Sequence, residues 1–439
     1  MEYVREPDYI TVQRDGTVKQ LNPFTGTEVW TVPGRGNRPL GLSRPYPLPL
    51  NEAEAGRHCA FCEGRYLDTP PEKSRVVRHD GGWETLYRLP AEELFDTLAE
   101  FRRIPNLFEI LSFDYWHHNY GFQLPARVQQ RRDAYLASPA GLNHVLDVIR
   151  SKLLTSMTDE EVDALSVDDL VARASGFFGG GHDVIVARRH FVDGATDDSQ
   201  LASSGTLTPD EHERFIAYTV ESVKMAYDVN RYARYVTVFQ NWLKPAGASF
   251  DHLHKQLVSI DERGVQHEAT LAKLRRNSNI FNEAGPNYAS QQNLIIAENE
   301  HAIAFAGYGH RYPTIEIYSK SEESDPWQQS AAEVRGMSDM IHAMHAATGA
   351  DVPCNEEWHY RPIDVTSPMP WRVMLKWRVS TLAGFEGATK IYLNTIAPTM
   401  LRDRVVTALH QLRSGSRLAD GLSIATEADC RPNPLRYCR

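Results

Sequence analysis

Gly247-Ala-Ser-Phe-Asp-His252-Leu-His254-Lys-Gln256-Leu-Val-Ser-Ile260 follows an alternating apolar run, Arg234-Tyr-Val-Thr-Val-Phe-Gln-Asn241, and a turn rich in Pro and Gly. In an extended chain, alternate side chains share a face. His252, His254 and Gln256 therefore stand on one side of a strand. Gly247, Ala248 and Ser249 lie just upstream, and small residues let backbone N–H groups approach an anion. Two imidazoles and an amide beside an anion cradle suit chemistry on phosphate. The plainer reading is a surface His pair or a loose metal site. Gln256, the small-residue turn and Phe239-Gln-Asn241 weigh against it.

The chain has 439 residues, 42% hydrophobic and 24% charged, as in ordinary globular proteins, and its length allows two or three domains. No run of about 18 apolar residues is present, so no transmembrane helix is expected. The first residues are charged where a signal peptide needs an apolar core, which makes the cytoplasm the default location. With 47 basic and 57 acidic residues the net charge is −10, which argues against bulk nucleic-acid binding. A local basic cluster can still hold a small anion. Five cysteines cannot all pair, and a disulfide framework is not expected in a chain of this size.

Other stretches carry chemistry by residue type. Residues 1–20 are polar and poorly patterned. After Asn22-Pro-Phe-Thr-Gly and a short strand from Glu28 to Val32 come Arg35 and Arg38, separated by Gly and Asn. Arg suits multi-donor binding of phosphate oxygens; a solvated basic loop is the alternative. Cys59-Ala-Phe-Cys62 puts two thiols on one turn, which fits half of a tetrahedral zinc site, a redox pair or two inert cysteines. Asn106 follows Pro105 and reads as a turn residue or a ligand contact. Residues 114–177 hold Tyr115-Trp-His-His118-Asn-Tyr120 and then helical patterns, including a capped start at Thr158. His117 and His118 read as a site or as an exposed aromatic edge. Thr208-Pro-Asp-Glu211 starts a helix running to about Asn230. After residue 291, strands (two over 294–318), a helix over 331–347 and further strands recur, a duplication of pattern. Residues 412–439, without periodicity, read as a loosely packed or exposed tail.

Phe239-x-Asn241, Gly247-x-Ser249 and His252-x-His254-x-Gln256 together resemble the active-site segment of the galactose-1-phosphate uridylyltransferase branch of the histidine-triad superfamily. Asn22-Pro-x-Thr-Gly with Arg35 and Arg38, Pro105-Asn106-x-Phe108, Gly180-x-His182 and Leu382-Ala-Gly-Phe-Glu386 extend the resemblance over most of the chain outside 114–177 and the tail. It implies an α+β fold of two tandem histidine-triad-like halves with antiparallel sheets: a catalytic half over 1–265 with a helical insertion at about 114–177, a second half over 266–412, and the tail. It also implies that His254 is the nucleophile and that Gln256 donates to the transferred phosphate. Arg35, Arg38, Asn106, Asn241, Gly247, Ala248 and Ser249 would contact substrate. Cys59, Cys62, His190 and His252 would hold a structural zinc. Many members carry a second His-x-His in the C-terminal half. Here Pro370 and Arg372 stand at those positions and His359 alone remains, which puts a second metal in doubt.

The function so implied is a nucleotidyltransferase moving a nucleoside monophosphate between a nucleotide sugar and a sugar 1-phosphate through a nucleotidyl-histidine. The alternatives are a phosphorylase of nucleotide sugars or dinucleoside polyphosphates using inorganic phosphate, and a nucleotide-binding protein without activity. A homodimer is the family's expectation; neither nucleic acid nor membrane is an expected partner.

Overall fold

Two hairpins meet at the centre of the computed structural model, which describes residues 8–34, 40–42 and 46–438. The first joins strands Tyr235–Trp242 and His254–Ile260, the second Cys354–His359 and Arg372–Trp377. In chain order the strands are β1 (Ile10–Val12), β2 (Val18–Leu21), β3 (Glu28–Thr31), β4 (Ser74–His79), β5 (Gly82–Tyr87), β6 (Ala99–Pro105), β7 (His182–Ala187), β8 (Tyr235–Trp242), β9 (His254–Ile260), β10 (Ile295–Glu298), β11 (Ala302–Ala306), β12 (Thr314–Ser319), β13 (Cys354–His359), β14 (Arg372–Trp377), β15 (Ile391–Asn394) and β16 (Ser423–Ile424). Twelve of these form one sheet in the order β16-β10-β11-β12-β14-β13-β8-β9-β7-β6-β4-β5 among the described residues. Outward from the antiparallel β8–β13 seam, the two directions have matching order: β8-β9-β7-β6 on one side and β13-β14-β12-β11 on the other. All pairings in this sheet are antiparallel.

Alternation sets the two faces. On β8, Val236, Val238, Gln240 and Trp242 are buried behind the sheet, while Thr237, Phe239 and Asn241 are half-buried in front. The back is covered by helix Pro209–Val229, which begins with the capping box of Thr208 and Glu211 and a Pro in its first turn. Its counterpart Ala331–Thr348 precedes β13 and starts with the Ser330–Glu333 capping box. Phe215, Ile216, Met337 and Ile341 from the two helices join Val236, Val238, Val373 and Leu375 in one apolar core. Among the described residues, no helix is long and apolar enough to cross a membrane.

Residues 113–179 form six helices: α1 (Phe113–Tyr120), α2 (Ala126–Ala137), α3 (Pro139–Leu153), α4 (Asp159–Asp163), α5 (Val167–Arg173) and α6 (Gly176–Gly179). They have a small core of their own around Val128, Tyr135, Val145, Ile149, Leu170 and Phe178. His117 and His118 are exposed on α1, and His117 Nδ1 bonds the Phe122 carbonyl.

Three expectations need correction. Residues 10–21 are ordered as β1 and β2, and β3 pairs in parallel with β15 from the far end of the chain. These early strands sit with the second half: Tyr288 Oη accepts from the Ile10 N–H (2.9 Å), and Gln20 Oε1 from the Gly309 N–H (3.1 Å). A boundary at 265 therefore divides the large sheet at its seam but not the small one. Residues 294–318 supply three strands, not two, because β10 and β11 are joined by a tight turn at Asn299. The tail is not loose. Strand β16 pairs with β10, and Leu435 and Tyr437 are buried. Asn282 Nδ2 donates to the Leu435 carbonyl (3.0 Å), and Tyr437 Oη to the Ser278 carbonyl (2.6 Å). Single anchors docking one at a time leave no periodic trace in a sequence.

The seam is locked by charge as well as by backbone. Lys255 Nζ, fully buried, lies 2.6 Å from Glu356 Oε1 across β8 and β13. His345 Nε2 meets the other carboxylate oxygen at 2.7 Å, and Trp358 Nε1 donates to Oε1. Burial pushes the Glu356 carboxyl up, but Lys255 and His345 outweigh it and hold the group ionised. A buried charge left without its partner is costly. Glu356→Ala is expected to lower unfolding stability by about 3–5 kcal/mol, and Lys255→Met with Glu356→Leu to restore most of it. Urea unfolding midpoints check both.

Candidate active site

The front of β9 is where the chemistry-bearing residues converge. Cys59 and Cys62 close one turn, with the Cys62 N–H donating to the Cys59 carbonyl (3.1 Å). His190 comes from the segment after β7, and His252 sits two residues before β9 begins. The sulfurs are 3.8 Å apart. Cys59 Sγ is 3.4 Å from His252 Nδ1, and Cys62 Sγ is 3.6 Å from His190 Nδ1. Zinc at about 2.3 Å from sulfur and 2.0 Å from nitrogen spaces tetrahedral donors roughly 3.3–3.8 Å apart. The four donor atoms lie within 4.8 Å of one another and can hold a metal ion. His252 Nε2 is 2.6 Å from the Ala187 carbonyl. A carbonyl only accepts, so Nε2 carries the proton and the Nδ1 lone pair faces the thiols.

The same logic fixes His254. Its Nδ1 lies 2.7 Å from the His252 carbonyl and must donate to it. That leaves Nε2 as a lone pair, which makes no hydrogen bond with any described residue. Burial holds this imidazole down to about pKa 4, so it is neutral. Phe61, between the two cysteines, packs edge-on against the ring at 5.3 Å, and Phe250 leans on Phe61.

Gln256 faces the same way, opposite Phe239 on β8 and Val184 on β7. Its Oε1 accepts from His182 Nε2 at 2.9 Å. The Ile110 N–H donates to His182 Nδ1 (3.2 Å), so the neutral ring carries its proton on Nε2. The amide NH2 of Gln256 is thereby turned away from His182 and makes no hydrogen bond with any described residue. Asn106 Oδ1 accepts from the Phe108 N–H, while its Nδ2 lies beside the same pair, 3.0 Å from His182 Nε2 and 3.5 Å from Gln256 Oε1. Asn241 Oδ1 accepts from Asn355 Nδ2 (2.7 Å) across the seam.

The small-residue turn differs from expectation. Gly247 adopts φ +91°, a backbone that favours glycine. Its N–H donates to Lys244 O (2.9 Å) and that of Ala248 to Leu243 O (3.3 Å). Both donors are spent closing the turn, so neither cradles an anion. The N–H and hydroxyl of the exposed Ser249 make no hydrogen bond with any described residue. Arg35 and Arg38 lie outside the described residues.

In the sequence His182 carries no role of its own and enters only within Gly180-x-His182. Alternation along β7 could have found it, since it stands two residues before Val184, the partner of Gln256.

In front of the seam, a cleft of about 750 Å³ runs from Asn241 and Phe239 to Glu357, His359 and Lys376. Arg372 begins β14 as His254 begins β9. Its guanidinium is buried and stacked on Phe281 at 4.4 Å, with Phe24 and Tyr318 each at 5.5 Å. His267 and His359 pack against each other beside it, ring centres 5.8 Å apart. Among the described residues, the second half brings no metal-binding group together.

The family described as "Domain of unknown function (DUF4921)" matches residues 13–437. The chain belongs to this family. The DUF4921 chain is also 22% identical over 399 residues to an ADP-glucose phosphorylase of Arabidopsis thaliana, covering 88% of this chain and 92% of that protein. Two solved Arabidopsis structures are similar to it. One is an ADP-glucose phosphorylase with bound ADP-glucose (TM-score 0.56, 19% identity, 89% of this chain and 98% of that one). The other is a GalT-like protein (TM-score 0.55, 18% identity, the same coverages). These likenesses show the fold: the DUF4921 chain has the α+β architecture of the ADP-glucose phosphorylase and GalT-like structures.

Proposed function

We propose that this chain is a nucleotide-sugar phosphorylase that works through a nucleotidyl-His254 intermediate. The observation that carries the reading is the unbonded Nε2 of a neutral, buried imidazole, fixed in tautomer by the His252 carbonyl. Such a nitrogen is a nucleophile without prior proton removal. It attacks the α-phosphorus of the nucleotide sugar, the bond to the bridging oxygen breaks, and the sugar 1-phosphate leaves with that oxygen and the electron pair. Inorganic phosphate then attacks the same phosphorus, the P–N bond breaks, and a nucleoside diphosphate departs while His254 recovers its lone pair. The free amide of Gln256 would donate to a non-bridging oxygen in both transition states. Ser249 would add its N–H, and the cleft ahead of Asn241 has room for the nucleotide sugar.

The Arabidopsis ADP-glucose phosphorylase, alike over most of both chains, supports phosphate rather than a sugar 1-phosphate as acceptor. Zinc is the ion that thiolate and imidazole donors at these separations suit. Cys59, Cys62, His190 and His252 would hold it. With all four positions filled by protein, the ion would contribute structure and no bound water.

The test supplies ADP-glucose and UDP-glucose with inorganic phosphate and measures nucleoside diphosphate and glucose 1-phosphate. Phosphate-dependent release of both products is expected. Exchange with a sugar 1-phosphate but none with phosphate would make the enzyme a transferase, and binding without turnover would make it a nucleotide-binding protein.

His182 acts through Gln256 in this scheme. His182→Phe is expected to lower kcat about 10–100-fold with KM little changed. Combined with Gln256→Ala it should add nothing further, since one residue works through the other. Steady-state kinetics of the two single variants and the double variant check this.

A further inference from the structure

The helical insertion does more than extend the fold, because it closes a cleft on the back of the first half. The cleft holds about 430 Å³, a volume typical of small-molecule sites. It lies behind β7 and β9, on the opposite face of the sheet from Gln256. Its charge is lopsided: Lys73, Arg88, Arg103, Arg127 and Arg131 face one carboxylate, Asp183.

Asp183 does not neutralise them. Lys73 Nζ meets its Oδ1 at 2.6 Å and Arg103 its Oδ2 at 2.6 Å, so one anion serves two buried cations. Glu72 is consumed by Arg75 and Arg102, and burial pushes the Glu109 carboxyl, which lies against Gly180, up to about pKa 7. Arg131 donates through Nη2 to the Glu72 carbonyl, its Nε has no partner among the described residues, and burial pulls it down to about pKa 10. Arg88 and Arg127 are exposed and have no ion-pair partner among the described residues. Ser259, 1% exposed, directs to this face a hydroxyl that has no partner among the described residues. Uncompensated buried cations and a lone hydroxyl are costly unless a ligand answers them.

The remaining walls are apolar. Val128 and Phe178 come from the insertion, Met225 and Val229 from the helix Pro209–Val229, and Leu257 from β9. We propose that this cleft binds a small organic anion, a phosphate or carboxylate head on an apolar body, as a regulatory site. The cations would take the head, and the apolar walls would take the body.

The cleft has a mechanical link to the catalytic strand. Lys73 also donates to the Gly180 carbonyl (3.1 Å), and Gly180 and Asp183 flank His182, which holds Gln256. Leu257 and Ser259 alternate with Gln256 on β9. A ligand that draws Lys73 or Arg103 toward itself shifts the segment that aims the Gln256 amide. This regulatory effect rests on the phosphorylase reading, whereas the binding does not.

The test titrates phenyl phosphate, benzoate, inorganic phosphate and neutral phenyl glucoside calorimetrically into the full chain with saturating ADP present. One site per chain is expected for phenyl phosphate or benzoate, with the tighter of the two naming the head group. Inorganic phosphate should bind more weakly and the glucoside not at all. Arg88→Glu with Arg127→Glu, both exposed, should weaken binding about tenfold or more while the melting curve is unchanged. No binding at millimolar ligand, equal affinity in the double variant, or displacement by ADP would each overturn the site. If binding holds but phosphorolysis does not respond to the ligand, the regulatory role is lost and the site stands. If no nucleotide sugar is turned over, the phosphorylase reading fails on its own.

Discussion

His254→Ala is expected to abolish covalent labelling of the protein by ADP-glucose labelled in its α-phosphate, and to cut phosphorolysis by at least ~10⁴-fold. The wild type, quenched in the absence of phosphate, should retain one nucleotide per chain; adding phosphate should discharge it as nucleoside diphosphate. The expected loss is large because neither neighbouring imidazole can take over. His252 has its lone pair turned to the thiols, and His182 has Nδ1 occupied by the Ile110 N–H. Acid lability of the label would identify a P–N bond. Labelling that survives in His254→Ala would sink the assignment.

Loss of the metal comes second in size. Cys59→Ser is expected to reduce metal content from one zinc per chain to none by elemental analysis. It should also lower stability by more than ~4 kcal/mol, a drop in melting temperature of at least about 4–5 °C. Activity should fall with it, for a reason visible in the hydrogen bonds. The His252 carbonyl fixes the His254 tautomer, and the His252 ring is one of the four donors. Without the ion, that segment loses its anchor and the nucleophile its orientation. Prolonged treatment with a strong chelator should reproduce both effects, and added zinc should reverse them if the chain has not unfolded. A Cys59→Ser protein with full metal content and full activity would remove the structural role.

Period-two alternation made His254 and Gln256 legible as a facing pair, and the capping box at Thr208 marked one of the two long helices in the sequence. The pairing of Cys59 and Cys62 with His190 and His252 came from resemblance alone, since over a hundred residues separate the knuckle from either His and no local pattern connects them. What stayed hidden has physical causes. Whether the Gly247 and Ala248 N–H groups are free depends on how the turn closes, and composition does not encode that. His182 acquires a role only once β7 is laid beside β9. The order in residues 10–21 rests on β3, which is itself paired with β15 nearly the whole chain away.

That last pairing has a consequence during synthesis. β3 cannot complete its sheet until Asn394 has left the ribosome. At about 5–20 residues per second, the early ribbon waits roughly 20–70 s with one side open. A nascent chain stalled before β15 should therefore keep this ribbon sensitive to protease and prone to pair with a neighbour, and only release of the last strands should protect it.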